Sequence, residues 1–451
     1  MTVIMALAYF TASICVAWLI GKLAARIRLP QITGYLLTGI MAGPFVSGLV
    51  KPHHIKHLRF VDKVSLAIIA FVAGTELFLK ELKSRWKSIA WITTLQSLAI
   101  FVLGGLGLML LADVIPFMRN MAWQGRFAVG LLAGAILIAR SPSSAVALVN
   151  ELRAKGPFTQ TVLGVTMVTD VVVIVLFAVS FSLSQGLLTS QPIDASVLEV
   201  LGVELGLSLC LGVLVGRFLQ LVLWLHTHRA IKRALLLLVG YSVFVFGGWF
   251  HHISHDYLPW TLHMEPLLIC MIASFVITNY SQQRDELVEH LHVLAPPIYV
   301  AFFTLTGISL GIDVLLQTWS IALLLVGLRL VTLMLGSWAG GKLAGDPQQH
   351  NRLSWLTYVT QAGVGLGLAK QVAAFYPTWG NAFATMMISV IVINQLVGPP
   401  FFKWAIQRVK EANVATNVEA VDQEEVELER CKPAVKPAPS KSTNPIPVLS
   451  Q

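Results

Sequence analysis

Charged residues are scarce in this chain, at 12% of its 451 residues against about 25% in an average soluble domain. Hydrophobic residues account for 56%, and the mean hydropathy is +0.73. This composition excludes an ordinary soluble domain and predicts a protein that crosses a membrane many times. The lipid bilayer is therefore the expected surroundings of most of the chain.

Cysteine is also rare. Three of the four cysteines lie in apolar segments and the fourth, Cys431, in a polar C-terminal stretch, so no disulfide framework is predicted. Phosphate-binding glycine loops and the His-Glu-x-x-His pattern of metalloproteases are absent. The histidines, although twelve in number, show no metal-ligand spacing and are interpreted as loop residues. The sequence thus predicts no enzyme, metal site or cofactor.

The apolar residues form about thirteen segments long enough to cross a bilayer. We number these predicted spans 1 to 13; they start near residues 3, 30, 61, 88, 127, 160, 196, 232, 264, 294, 318, 354 and 381. Together they make residues 1–410 a transmembrane domain of all-α class. Residues 411–451 are polar, with an acidic run and then Lys, Pro and Ser, and predict a disordered cytoplasmic tail.

The formal net charge of +9 does not indicate a nucleic-acid partner, because the basic residues sit in short loops between apolar spans. The loops that follow odd-numbered spans carry most of them: Lys22, Arg26, Arg28, Lys80, Lys83, Arg85, Lys87, Arg153, Lys155, Arg229, Lys232, Arg233, Arg284 and Arg352. Positive charge favours the cytoplasmic side. We therefore expect the N-terminus outside, the C-terminus in the cytoplasm, and a plasma (inner) membrane location.

Two neighbouring spans contain features that lipid does not tolerate well. Span 5 is interrupted by Ser141, Pro142 and Ser143, which predict a broken helix. Span 6 carries Asp170 in its middle, and a carboxylate at that depth marks an ion or proton pathway by default. Broken helices expose backbone carbonyls that can coordinate a cation. We therefore predict a cation site where these two features face each other.

Span 12 is the second span with an interruption. Glycines alternate with other residues at 363, 365 and 367, which weakens a helix. Two interrupted helices at matching places in two halves point to an inverted-repeat transporter and to its binding site. Spans 1–6 and 8–13 are the predicted halves, with span 7 between them.

Several motifs resemble those of monovalent cation:proton antiporters, in the branch that includes sodium/proton and Kef-type potassium/proton antiporters. They are residues 28–44 (RLPQITGYLLTGIMAGP), 71–79 (FVAGTELFL), 142–170, 297–313, 361–367 (QAGVGLG) and 394–400 (NQLVGPP). Each motif is only moderately specific, but their order and spacing cover residues 1–410. The resemblance implies a core domain of spans 4–6 and 11–13, a dimerisation domain of spans 1–3 and 8–10, and span 7 as linker. It also implies a homodimer, elevator-type alternating access, and competition of cation and proton for one carboxylate.

The resemblance assigns that carboxylate to Asp170, and burial there makes a carboxyl hold its proton more tightly than in water. The family usually has Asn or Asp where this chain has Thr169, and a single Asp beside a neutral residue implies one-for-one, electroneutral exchange. Thr169 is interpreted either as a neutral neighbour of the site or as a hydroxyl bonded back one turn. Thr166, one turn before Asp170, is a candidate ligand. Ser141 and Ser143 are candidates through their oxygens at the break.

Three charged residues complete the predicted site. Glu76 lies within span 3, where a contact with the ion and a structural ion pair are both open. Arg329 in span 11 is interpreted as a structural partner of Glu76 or of the broken helix ends. Arg140 stands where the family has a small polar residue. It is interpreted as paired with Glu76, as occupying the ion site, or as changing the substrate; the first is favoured because buried charges are usually paired.

The predicted function is exchange of Na⁺ or K⁺ for H⁺ across a membrane. The alternative is a sensor or scaffold on the same fold that does not transport ions or does so only when regulated, and Arg140 is the residue that argues for it.

Overall fold

The computed structural model describes residues 2–412 except 190–195, 226, 258–261, 263, 311 and 362–363. Within these residues the chain forms helices and no strand. The first half contains α1 (Thr2–Arg26), α2 (Gln31–Ala42), α3 (Pro52–His57), α4 (Arg59–Thr75), α5 (Leu79–Ala99), α6 (Gly105–Leu110), α7 (Trp123–Ile138), α8 (Pro142–Glu151) and α9 (Pro157–Thr189). The second half contains α10 (Ser196–Trp224), α11 (Arg229–Tyr257), α12 (Pro266–Tyr280), α13 (Arg284–Ser309), α14 (Ile312–Ala344), α15 (Gln348–Leu353), α16 (Val364–Phe375) and α17 (Gly380–Val409). A π-helical turn, Ile100–Gly104, joins α5 to α6, and a 3₁₀ helix, Ser354–Tyr358, follows α15.

A helix lies at each of the thirteen places where the sequence predicts a span. Over the described residues, nine helical segments are long and apolar enough to cross a membrane, and α12 and α16 are apolar but shorter. The number of crossings therefore stays a prediction, whereas an all-helical fold with many apolar helices is confirmed. The protein is an integral membrane protein.

The long helices pack in two groups. In one group, α5 contacts α9 and α14, α7 contacts α9, and α17 contacts α14 and α16. In the other group, α2 packs between α1 and α13, while α4 contacts α11, α12 and α13. The first group comprises spans 4–6 and 11–13 and the second spans 1–3 and 8–10; their roles as core domain and dimerisation domain stay predictions. Helix α10, which is span 7, packs on α12 of the second group and also touches α9 of the first.

The predicted tail begins two residues too early. Glu411 is only 7% exposed, and its carboxylate accepts hydrogen bonds from the start of α9. The interpretation of Glu411 as part of a disordered tail is therefore wrong, because the polar composition of the following residues does not reveal that this carboxylate caps a helix. Residues 413–451 lie outside the described part of the chain.

Candidate functional site

The break in span 5 follows from its sequence. Helix α7 ends at Ile138 and α8 begins at Pro142, whose missing N–H costs nothing in the first turn of a helix. Ser141, as the residue before a proline, is extended (φ −115°, ψ 94°), and its Oγ accepts a hydrogen bond from the Ser144 N–H. Ala139, Arg140 and Ser141 therefore form an extended link inside an otherwise helical span.

The second broken span crosses the first at this link. The 3₁₀ helix ends at Tyr358, and α16 starts at Val364. The Ser141 N–H donates to the Thr360 carbonyl at 3.1 Å, and the Gln361 side chain donates to the Ile136 carbonyl at 3.2 Å. The interruption of span 5 is confirmed. Span 12 is non-helical at residues 359–361, whereas Gly365 and Gly367 lie inside α16, and the two links lie against each other.

Arg329 holds the crossing together from α14. Its guanidinium is fully buried and donates to four backbone carbonyls, two on each broken span: Leu137 (2.8 Å), Ala139 (3.2 Å), Tyr358 (3.3 Å) and Val359 (2.8 Å). These carbonyls lie at or next to helix ends, where carbonyls in general lack helical partners, and the planar fork of an arginine suits several acceptors at once. The sequence suggested two partners for Arg329, Glu76 and the broken helix ends, and the contacts it makes are with the helix ends.

Asp170 lies on α9, in the helix group that contains the crossing. It is partly buried, and its Oδ1 is fully enclosed with no hydrogen-bond partner among the described residues. Arg140 and Glu265 are near enough to interact with it electrostatically. Glu265 immediately precedes α12 and was missed by the sequence reasoning, because it lies between apolar segments without any recognisable motif.

The predicted hydroxyl ligands are engaged locally. Thr166 donates to the Val162 carbonyl at 2.8 Å, and Thr169 donates to the Val165 carbonyl at 2.6 Å. A hydroxyl that donates its hydrogen in this way keeps its lone pairs, which are what a cation needs. Ser141 lies within 3.2 Å of the Ser143 hydroxyl and 2.7 Å of the Ser144 hydroxyl. Their role as ligands stays a prediction.

The favoured pairing of Arg140 with Glu76 is wrong. Arg140 is 1% exposed, and none of its three side-chain nitrogens has a hydrogen-bond partner within the described structure. Its guanidinium instead lies over the Tyr358 ring, 4.2 Å from the centroid. The extended link turns the arginine towards the second broken span.

Glu76 is not inside a helical span either. Helix α4 ends at Thr75, and Glu76 is its half-buried C-cap residue. Asn279 of α12 fixes this helix end, since its side chain accepts from the Leu79 N–H at 2.7 Å and donates to the Leu77 carbonyl at 3.0 Å. Gly74, in the last turn of α4, was the local signal of this helix end, because glycine weakens a helix.

Further polar residues at the crossing come from α17. Asn394 donates to the Gln361 side chain at 2.8 Å, and Gln395 donates to the Ser144 hydroxyl at 3.1 Å; all four residues are buried. Both residues lie in the motif 394–400. Two adjacent amides inside an apolar span were the signal that they make hydrogen bonds at the crossing. In the described part of the chain, no three His, Cys, Asp or Glu residues are grouped as metal ligands.

Two interrupted helices that cross within an all-helical membrane protein define a polytopic transporter-like fold. The family model for "Sodium/hydrogen exchanger, transmembrane" matches residues 10–408, and the chain therefore belongs to the sodium/hydrogen exchanger family.

Known relatives cover nearly the whole chain. It is 23% identical over 403 residues to the Na(+)/H(+)-K(+) antiporter GerN of Bacillus cereus, which spans 86% of this chain and 92% of GerN. It is 25% identical over 436 residues to the glutathione-regulated potassium-efflux system protein KefC of Klebsiella pneumoniae, spanning 94% of this chain and 64% of KefC. The fold matches that of the sodium proton antiporter MjNhaP1 of Methanocaldococcus jannaschii with a TM-score of 0.64, at 17% identity, over 90% of this chain and 96% of that one. The resemblance identified from the motifs is thereby confirmed at the level of the superfamily.

Proposed function

We propose that this protein exchanges a monovalent cation, Na⁺ or K⁺, for H⁺ across a membrane, with Asp170 as the group that binds each in turn. The observation that carries the proposal is the enclosed Oδ1 of Asp170, a carboxylate oxygen with no hydrogen-bond partner among the described residues, in a helix of 33 residues. An ionisable group this deep in a membrane helix is costly and usually belongs to an ion or proton pathway. The names of GerN, KefC and MjNhaP1 support both ions as candidates.

The carboxylate binds either a proton or a cation, so that one is released when the other binds. Hydroxyl oxygens of Thr166, Ser141 and Ser143 supply further oxygen ligands, and Thr169 is a neutral neighbour. Because a single carboxylate serves both ions, we propose one-for-one, electroneutral exchange.

Access alternates between the two sides of the membrane by an elevator-type motion. The group formed by α5–α9, α14, α16 and α17 moves, and the group formed by α1–α4 and α11–α13 stays fixed and forms the contact of a homodimer. Two observations support this division: the two groups pack mostly within themselves, and both broken spans lie in the same group as the helix that carries Asp170. The N-terminus lies outside and the C-terminus in the cytoplasm.

Proton flux in proteoliposomes with an imposed pH gradient tests the proposal. Addition of Na⁺, K⁺ or Li⁺ should collapse the gradient in the native protein. The Asp170→Asn variant should show no response while keeping the native elution profile. Exchange at the native rate in Asp170→Asn would overturn the mechanism. No response of the native protein to any cation, under conditions where a known antiporter responds, would favour the sensor or scaffold.

A further inference from the structure

A buried guanidinium and a buried carboxylate oxygen near the crossing both lack the hydrogen bonds that such groups normally make. All three side-chain nitrogens of Arg140 are enclosed and have no acceptor in the described structure. Oδ1 of Asp170 is enclosed in the same way. Buried polar groups are hydrogen-bonded in the great majority of cases, and buried charges are paired. Each residue thus lacks what the other can supply.

The surroundings of Arg140 leave few other partners. Arg329 is a second positive charge near it, and its own guanidinium is already bound to backbone carbonyls. Apart from this arginine, the described groups that interact electrostatically with Arg140 are Tyr358 and Asp170. Asp170 is the acid of this set, so it is the natural counter-ion.

Arg140 also has a place to stay when it is not bound to an acid. Its guanidinium lies over the Tyr358 ring at 4.2 Å, within the range of a cation–π interaction. The backbone on either side is fixed, because the Ala139 carbonyl accepts from Arg329 and the Ser141 N–H donates to Thr360. The long side chain can therefore change its partner while its backbone stays in place.

We propose that Arg140 is a tethered counter-ion that competes with the transported cation for Asp170. With Asp170 ionised and empty, the guanidinium pairs with the carboxylate. When a cation or a proton occupies Asp170, the guanidinium lies on the Tyr358 ring. Arg140 then sets the cation affinity of the site without itself being transported. This inference rests on the proposed exchange function.

The apparent KM for Na⁺ and K⁺, measured at one fixed alkaline pH, tests the competition. Arg140→Gln removes the competing charge and should lower KM by about fivefold or more, the lower end of typical coupling between two sites. Arg140→Lys keeps a positive charge and should leave KM close to the native value. Tyr358→Leu removes the alternative position, so that KM should rise; this variant tests the proposal even if Arg140→Gln does not fold. An unchanged KM in Arg140→Gln and Tyr358→Leu would overturn it.

A double-mutant cycle on thermal stability, without Na⁺ or K⁺, separates failure of this inference from failure of the proposed function. The stability change of the double variant Arg140→Gln/Asp170→Asn should differ from the sum of the two single changes by more than independent sites usually show. If the native protein shows no cation-dependent flux, the exchange function fails, and the cycle still reports whether the two residues pair. Additive effects would overturn the pairing even in an active transporter.

Discussion

The carboxylate of Glu151 accepts a hydrogen bond of 2.7 Å from the backbone N–H of Gln31, which is 120 residues away. Gln31 is the first residue of α2, and the residue before it is Pro30, which makes no capping hydrogen bond. The Glu151 side chain therefore caps the N-terminus of a helix in the other group in place of the N-cap residue itself. Lys403 of α17 adds a second link by donating to the Leu29 carbonyl at 3.0 Å. These hydrogen bonds join the group proposed to move to the group proposed to stay fixed.

Locking this contact should stop transport if the groups move past each other. Cysteines introduced as Gln31→Cys and Glu151→Cys, in a chain without its native cysteines, would be joined by a short thiol-specific crosslinker. Crosslinking should abolish exchange, and treatment of either single-cysteine variant should not. Full exchange by the crosslinked protein would contradict the elevator motion.

Arg329 should be the charged residue whose removal destabilises the fold most. Arg329→Met leaves four buried carbonyls without their donor, and we expect a loss of about 3 kcal/mol or more. Arg329→Lys should recover only part, because an ammonium cannot reproduce the planar fork. Unfolding in detergent, followed for both variants, measures the effect. Near-native stability of Arg329→Met would show that water can replace the guanidinium at the crossing.

The break in span 5 and the candidate carboxylate could be predicted from the sequence because they break rules that apply residue by residue. Pro142 interrupts one span, and a carboxylate such as Asp170 stands out in an apolar helix. The glycines at 365 and 367 mark the second broken span, but the break lies before them. The partners of charged side chains could not be predicted in this way. Arg140 lies over Tyr358 rather than against Glu76 because of how the two broken spans cross, and this is a property of the tertiary fold.

Capping residues from distant parts of the chain were missed for a related reason. Glu151 and Glu411 look like ordinary loop charges, and only the packed structure places them at the first turns of α2 and α9. Both helices follow a proline or a glycine, and no Ser, Thr, Asp or Asn stands directly before them. This was the available signal that their caps come from elsewhere.

Close packing of α14 against α5 depends on glycine. A Cβ on Gly336 would lie 2.5 Å from the Gln96 Cα, which is a backbone atom and cannot move aside easily. Gly336→Ala should therefore push the two helices apart and lower the melting temperature. Gly327 on the same helix has open space at its Cβ position, so Gly327→Ala is the matched control and should be neutral or stabilising. Equal melting temperatures of the two variants would contradict this account of the helix contact.

The helix that carries Asp170 is capped at its start by Glu411. One carboxylate oxygen accepts from the Phe158 N–H at 2.9 Å, and the other accepts from both the N–H and the hydroxyl of Thr159 at 2.7 Å. The residue before the helix, Gly156, has a φ of +156°, and a Cβ there would lie 2.2 Å from the Glu411 Cδ. No side chain can stand between the carboxylate and the helix start, so the cap requires both residues.

Loss of this cap should weaken the start of α9. Glu411→Ala should cost about 2 kcal/mol, since a buried charge-assisted cap contributes at the upper end of the range for helix caps. Glu411→Gln should cost nearly as much, because an amide has one acceptor oxygen and would turn its NH₂ group towards a backbone N–H. Glu289→Ala is the control: it removes an exposed ion pair with Arg229 and should have almost no effect. Unfolding of the three variants in detergent decides the matter, and a Glu411→Gln protein as stable as the native one would mean that one carboxylate oxygen suffices.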